Sequence, residues 1–250
     1  MTSLSEITTH LGELLSIQSI GDYPQALNGL QLENNGCVTR IAAAVDACEA
    51  VLIQATARKA DLLLVHHGLF WNTTPFIGGM YRKMRAAILG NLAVYSAHLP
   101  LDVHPIYGNN ALLARAAGLT DLLPFLPSKG QPVGLVGNCT VSRNTLLESL
   151  ATTLGSPIHL CAGGPEFPKR VGVITGGAGS EVARVAAAGV DTFITGEGPH
   201  WSYTLAEELG INLIYGGHYA TETFGVKALA AQLSERFCVP WEFIDHPTGL

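Results

Sequence analysis

The stretch DLLLVHHGLFW, residues 61–71, decides the fold. Leu62, Leu63, Leu64 and Val65 form an unbroken apolar run of strand length, the pattern of a strand buried on both faces of a sheet. His66 and His67 follow where such a strand leaves the core, and Gly68 comes next, a residue that lets the backbone turn. Upstream, TRIAAAVDA (39–47) reads as a strand and CEAVLIQATARKA (48–60) as a helix with apolar positions three and four apart. Together with 61–67 they make one βαβ unit. Downstream, MYRKMRAAILGN (80–91) is a helix and LAVYSAH (92–98) a strand that delivers His98 to its own end. Ligands of open α/β sheets sit beyond the carboxyl ends of the strands, so His66, His67 and His98 are expected on one rim.

The same alternation continues along the chain. An opening helix runs from Ser5 to Ser16, GNNALLARAAGL (108–119) is another, and PFLPSKGQP (124–132), with three prolines and a glycine, is the best linker candidate. Beyond it, residues 133–197 read as strand, helix, strand, strand, helix, strand, a β-α-β-β-α-β plan, although its last strand could equally belong to the first domain. WSYTLAEELG (201–210) is a helix, INLIYGGH (211–218) a strand, ATETFGVKALAAQLSERF (220–237) a helix and WEFID (241–245) an edge strand. The expected fold is α/β with two α/β domains. The first is discontinuous with a mixed sheet (1–126 plus 191–250), and the second is a small β-α-β-β-α-β insertion (127–190).

The 250 residues are 48% hydrophobic and 14% charged, with 28 glycines. So apolar a composition implies that outer surface is covered in an assembly, and an oligomer is expected. A formal charge of −6 repels a phosphate backbone, which disfavours nucleic acid as a partner. The first residues, MTSLSEITTHLGELLSI, are amphipathic and acidic, unlike a secretory signal, and no apolar run reaches the roughly 18 residues that span a bilayer. A cytoplasmic protein that does not enter a membrane is expected. The five cysteines are odd in number and lack C-x-x-C spacing, so buried reduced thiols are expected rather than disulfides or a thiolate zinc site.

Three patterns carry chemistry. Adjacent residues of a strand face opposite ways, so His66 and His67 reach one site only at the strand's end; the alternative is two structurally satisfied histidines. SAHLPLDVHP (96–105) offers His98, Asp102 and His104, donors suited to zinc, iron or manganese, or else a turn capped by Asp102. In GGHYATET (216–223), a helix starting near His218 puts Glu222 four residues on and on the same face, either to share an ion or to complement the helix dipole. Taken together, the donors outnumber the three protein ligands of a lone catalytic zinc and suit two ions sharing Glu222. VITGGAGSE (173–181) fits close helix–strand packing better than a phosphate loop, and Glu197 in TGEGPHWSY (195–203) could support a ligand or merely start a helix. His10, His159 and His246 have no evident partners in the sequence.

NGLQLE (28–33), DLLLVHHGLFW (61–71), HLPLDVHPIYGNNALLA (98–114), FITGE (193–197) and GGHYATETFGVKAL (216–229) resemble, in order, the signature blocks of the NIF-three-like family. Some of its members carry the label GTP cyclohydrolase 1 type 2 homolog. The resemblance spans nearly the whole chain and is to the short bacterial form. It implies a toroidal homohexamer, a trimer of dimers, with two divalent metal ions per subunit bound by His66, His67, Asp102, His218 and a bridging Glu222, and with His98 beside them. Tyr219 departs from the histidine that relatives commonly place there.

Two functions are compatible with these residues. One is a metal-dependent hydrolase that directs an activated water at a small substrate, nucleotides being one candidate class, with His98 as the catalytic proton-transfer group. The other is a metal-handling or scaffold protein without turnover. Nothing in the sequence recognises guanine.

Overall fold

The computed structural model describes residues 2–71 and 75–249. The chain divides into two compact units: the chain up to Leu101 together with Gly225–His246, and Asp102–Phe224 with the residues from Pro247.

The first unit is built on a five-stranded sheet ordered Trp241–Phe243, Ile41–Asp46, Leu62–His67, Ala93–Ser96, Gly29–Leu32. The first four strands are parallel and the last is antiparallel to its neighbour, so the sheet is mixed. Because side chains alternate across a strand, the apolar run divides between two cores. Ile41, Ala43, Leu62 and Leu64 pack on Ile7 and Leu11 of the helix Leu4–Leu14 and on Val226, Leu229 and Leu233 of the helix Thr223–Phe237. Ala42, Ala44, Leu63 and Val65 pack instead on Val51, Leu52 and Ala55 of the helix Glu49–Ala57 and on Met84 and Ala87 of the helix Gly78–Leu89. Both faces are therefore covered, which is why the strand reads as unbroken apolar sequence.

The second unit carries a six-stranded mixed sheet ordered Thr120–Ser128, Gln131–Asn138, Arg170–Val173, Thr192–Thr195, Asn212–Tyr215, His159–Ala162. It too has a core on each face. Phe193 and Leu213 point to one side with Val182, Val185 and Ala206; Val171, Val173, Ile194 and Ile214 point to the other with Leu113, Leu146 and Leu150.

The α/β class, the discontinuous first unit and the β-α-β-β-α-β run are as expected, but the boundaries fall elsewhere than 1–126 plus 191–250 and 127–190. Residues 102–126 and 191–224 belong to the second unit, because Thr192–Thr195 pairs in parallel with Arg170–Val173 and Asn212–Tyr215 pairs with Thr192–Thr195. PFLPSKGQP is not a linker. It spans a β-hairpin whose two-residue turn, Lys129-Gly130, has φ +50° and +83°, the twist-matched geometry of a tight hairpin. Pro124 and Pro127 are tolerated because their strand is at the sheet's edge.

The five cysteines are unpaired; Cys139 and Cys161 are buried and Cys238 is exposed, so burial of the thiols is less general than expected. Among the described residues no helix is long and apolar enough to cross a membrane.

Candidate metal centre

In the first unit, strand register sets the geometry. Parallel pairing aligns Asp46 with His67 and Val65 with Ser96, so the strand ends lie side by side and His98 follows two residues beyond. The rings of His66, His67 and His98 come together, with centroids 4.7, 4.9 and 5.6 Å apart pairwise. Each offers a ring nitrogen, and these nitrogens all lie within 4.8 Å of one another, a group that could hold a metal ion.

Every one of these imidazoles is held at Nδ1. His66, fully buried, donates from Nδ1 to the Ala97 carbonyl at 2.9 Å. His67 Nδ1 lies 2.9 Å from Asp46 Oδ1, and His98 Nδ1 lies 2.9 Å from Asp22 Oδ1. A donating Nδ1 fixes the tautomer in which Nε2 carries the lone pair, the form that binds metals. Asp22 is itself anchored, accepting from the backbone N–H groups of Tyr23 and Leu99 and from Asn28 Nδ2. Burial pushes its carboxyl upward, but His98, with the Asn28 amide and the Tyr23 N–H, outweighs that and holds it below its ordinary 3.8.

Gly68 has a different role from the one its sequence position suggests. Its φ is not positive; a Cβ there would lie 2.3 Å from Gln31 Nε2. Gln31 accepts from Leu69 N–H at 2.6 Å and donates to the Leu27 carbonyl at 2.6 Å, so Gly68 leaves room for a side chain that ties down the loop after the histidines.

In the second unit, glycines set the geometry. His218 opens the short helix His218–Thr221, and its Nε2 lies 3.2 Å from Glu222 Oε2, as the four-residue spacing predicts. Its Nδ1 lies 2.8 Å from Glu197 Oε1, which resolves Glu197 as a supporting group. Gly176 has φ +69°, and a Cβ on it would stand 2.1 Å from Glu222 Oε1. Gly176 of VITGGAGSE thus makes room for Glu222 and His218. Burial opposes charge on His218, but the hydrogen bond and charge of Glu222, followed by those of Glu197, outweigh it and raise its pKa from 6.5 to about 9. Glu222 is buried, so this corner of the unit favours a positive charge beside it.

Asp102 ends the helical turn Leu99–Asp102 and is buried. Its Oδ1 accepts from Asn109 Nδ2 at 2.8 Å and from Thr175 Oγ1 at 3.2 Å, contacts that the reading of Asp102 as a turn cap does not require. His104 does cap the turn: its Nδ1 accepts from the N–H groups of Ile106 and Tyr107, and its ring stacks on Tyr107.

The sequence model of Duf34/NIF3 (NGG1p interacting factor 3) matches residues 2–248. The chain belongs to the Duf34/NIF3 family. Among its relatives is a protein of Deinococcus radiodurans, 44% identical over 251 residues that cover 98% of this chain and 94% of the relative. A protein of Pyrococcus abyssi is 40% identical, covering 98% of each. Both are named GTP cyclohydrolase 1 type 2 homolog. The crystal structure of TTHA1606 from Thermus thermophilus superposes with a TM-score of 0.90 at 39% identity, covering 100% of both chains. Within this Duf34/NIF3 chain, Tyr219 is buried. Of the supporting residues, sequence reasoning misses Asp22, Asp46, Asn109 and Thr175. Asp46 has a legible signal, since aligning the ends of IAAAVD and LLLVHH puts it beside His67.

Proposed function

We propose that His66, His67, Asp102 and His218 are ligands of a dinuclear metal centre with Glu222 as the bridge, and that the protein is a metal-dependent hydrolase. One observation carries this reading: His66, His67, His98 and His218 each have Nδ1 engaged by a carbonyl or a carboxylate, the arrangement that orients imidazoles toward a cation. The mixture of imidazole and carboxylate suits zinc, iron or manganese. A pair of such cations would supply Lewis acidity, making water acidic enough to react near neutral pH.

The protein's own part is positioning. Asp22 holds the His98 ring by Nδ1, so Nε2 is the nitrogen that takes a proton from the attacking water and returns it to the leaving group of a small, nucleotide-like substrate. The names of the relatives support an enzyme of this general kind. A homohexamer built as a trimer of dimers is proposed with it, supported by Ile77, Tyr81, Ile88 and Leu89, each more than half exposed in and beside one helix. The proposed location is the cytoplasm.

The test is metal analysis of protein purified without added metal, followed by a screen against nucleotides and phosphoesters, comparing wild type with Glu222→Ala. Two equivalents of metal and an activity, both lost in the variant, are expected. A variant that keeps both ions removes Glu222 from the centre. Full metal content with no turnover by wild type across the panel would favour a metal-handling or scaffold protein.

A further inference from the structure

The second unit holds a cavity of about 420 Å³ that the proposed metal chemistry does not use, lined by His159, Gly198, Pro199, His200, Tyr203 and Tyr215. It lies at the carboxyl ends of the parallel strands Thr192–Thr195 and Asn212–Tyr215, where ligands of α/β sheets bind. Its size falls within the range of small-molecule sites.

Its lining is aromatic, and Tyr215 within it is held in place. His159 and Tyr215 are register partners on adjacent antiparallel strands, and their rings lie within 13° of parallel with centroids 6.4 Å apart. Tyr203 adds a third ring 5.6 Å from His159. The Tyr215 hydroxyl is hydrogen-bonded to buried Ser202, and it sits between two glycines: a Cβ at Gly198 would come 2.5 Å from it, and one at Gly179 2.6 Å. Tyr215 therefore cannot swing away, and its ring is a fixed wall.

We infer that this cavity binds a flat heteroaromatic ring, of nucleobase type, by stacking against the near-parallel rings of His159 and Tyr215, with the tilted Tyr203 ring against its edge. A saturated ring of equal size would gain less, because stacking needs a π-face on both partners. The His200 imidazole and the Tyr203 hydroxyl supply polar atoms for the edge of a heterocycle, which a plain hydrocarbon would leave unanswered. Both walls lead toward the candidate metal residues. Gly198 follows Glu197, the partner of His218 Nδ1, and Tyr215 precedes His218 by three residues. That the ring belongs to the substrate rests on the hydrolase reading; that the cavity takes a ring does not.

The test is calorimetric titration with adenosine, cytidine and nicotinamide, with ribose as the control that lacks a π-face, on protein as purified and again after chelation. At least one ring compound saturates and ribose does not. His159→Ala, which removes an exposed ring from the sheet's edge, weakens the binding by about tenfold, as does Tyr203→Leu. Metal content of the His159→Ala protein stays at the wild-type value, which shows that the variant is folded and separates this cavity from the metal centre. The inference is overturned if no ring compound binds at up to about 10 mM, if ribose binds as well as adenosine, or if neither variant changes the affinity. Ring binding that survives chelation supports the cavity even if the hydrolase assignment fails.

Discussion

The two units place their functional side chains by different means. In the first, the register of parallel strands brings Asp46 beside His67 and sets His98 just beyond, and the loops then fasten each imidazole at Nδ1. In the second, glycines let Glu222 and His218 approach the backbone closer than any side-chain-bearing residue would permit. A site set by register is over-determined, because many ladder hydrogen bonds must fail before it moves. One set by missing Cβ atoms depends on single positions. Substitutions of equal size should therefore cost more in the second unit.

Gly176→Ala is the strongest way to break this contrast. Its Cβ would meet Glu222 Oε1 at 2.1 Å, on a backbone with φ +69°. Left-handed strain of about 1–2 kcal/mol adds to displacement of a buried carboxylate. Thermal unfolding should fall by several degrees and metal content should drop below half; unchanged values for both would show that Glu222 tolerates the methyl group.

Removal of a supporting carboxylate from the first unit should come next. Asp46→Asn leaves the strand pairing intact and weakens the hold on His67, and such partners are worth about 10–100-fold in metal affinity. Competition with a chelator measures this. An effect larger than that of Gly176→Ala would reverse the contrast between the units.

A pH series probes the His218 corner without mutation. With a pKa of about 9, His218 carries a proton at pH 7 that must leave before Nε2 can bind a cation. Affinity should rise with pH by about tenfold per unit from 6.5 to 9 and then level off. The sign reverses for stability without metal. A raised pKa stabilises the fold fully below 6.5, and that contribution is lost as pH rises through 9. Chelated protein should unfold at a lower temperature at pH 9.5 than at pH 6. His218→Gln should abolish both trends, and a pH series unchanged by that substitution would assign them elsewhere.

The smaller effects belong to the loops. Gly68→Ala should cost about 1–2 kcal/mol by evicting the Gln31 side chain from its two hydrogen bonds. Gln31→Ala in the same chain should add little further cost, since the two hydrogen bonds it would remove are already lost. His104→Ala removes a turn cap and should cost about 1 kcal/mol with metal content unchanged.

What the sequence makes legible follows the same division. DLLLVHH and IAAAVD are readable because burial on both faces leaves an unbroken apolar run, and the order of strand ends then places His66, His67 and His98. The four-residue spacing of His218 and Glu222 is readable as a helix face. Asp22 is not readable: it meets His98 across 76 residues of chain, through a loop with no periodic signal. Gly176 reads as a glycine of close helix–strand packing and Gly198 falls in a stretch read as a helix start, since a sequence does not show what a Cβ would strike. The Lys129-Gly130 turn is hidden because three prolines resemble a linker, whereas two of them, Pro124 and Pro127, lie on an edge strand that accommodates them. The expected domain boundaries inherit that error.

The strand Trp241–Phe243 completes the first unit's sheet by pairing with Ile41–Asp46. On a ribosome adding about 5–20 residues per second, the open edge of Ile41–Asp46 would wait on the order of 10–40 s for its partner. Most of the second unit, Asp102–Phe224, is one continuous segment and can mature during that interval. A nascent chain stalled before residue 241 would expose an unpaired, alanine-rich strand to its neighbours, so chaperone demand should concentrate in that window of synthesis.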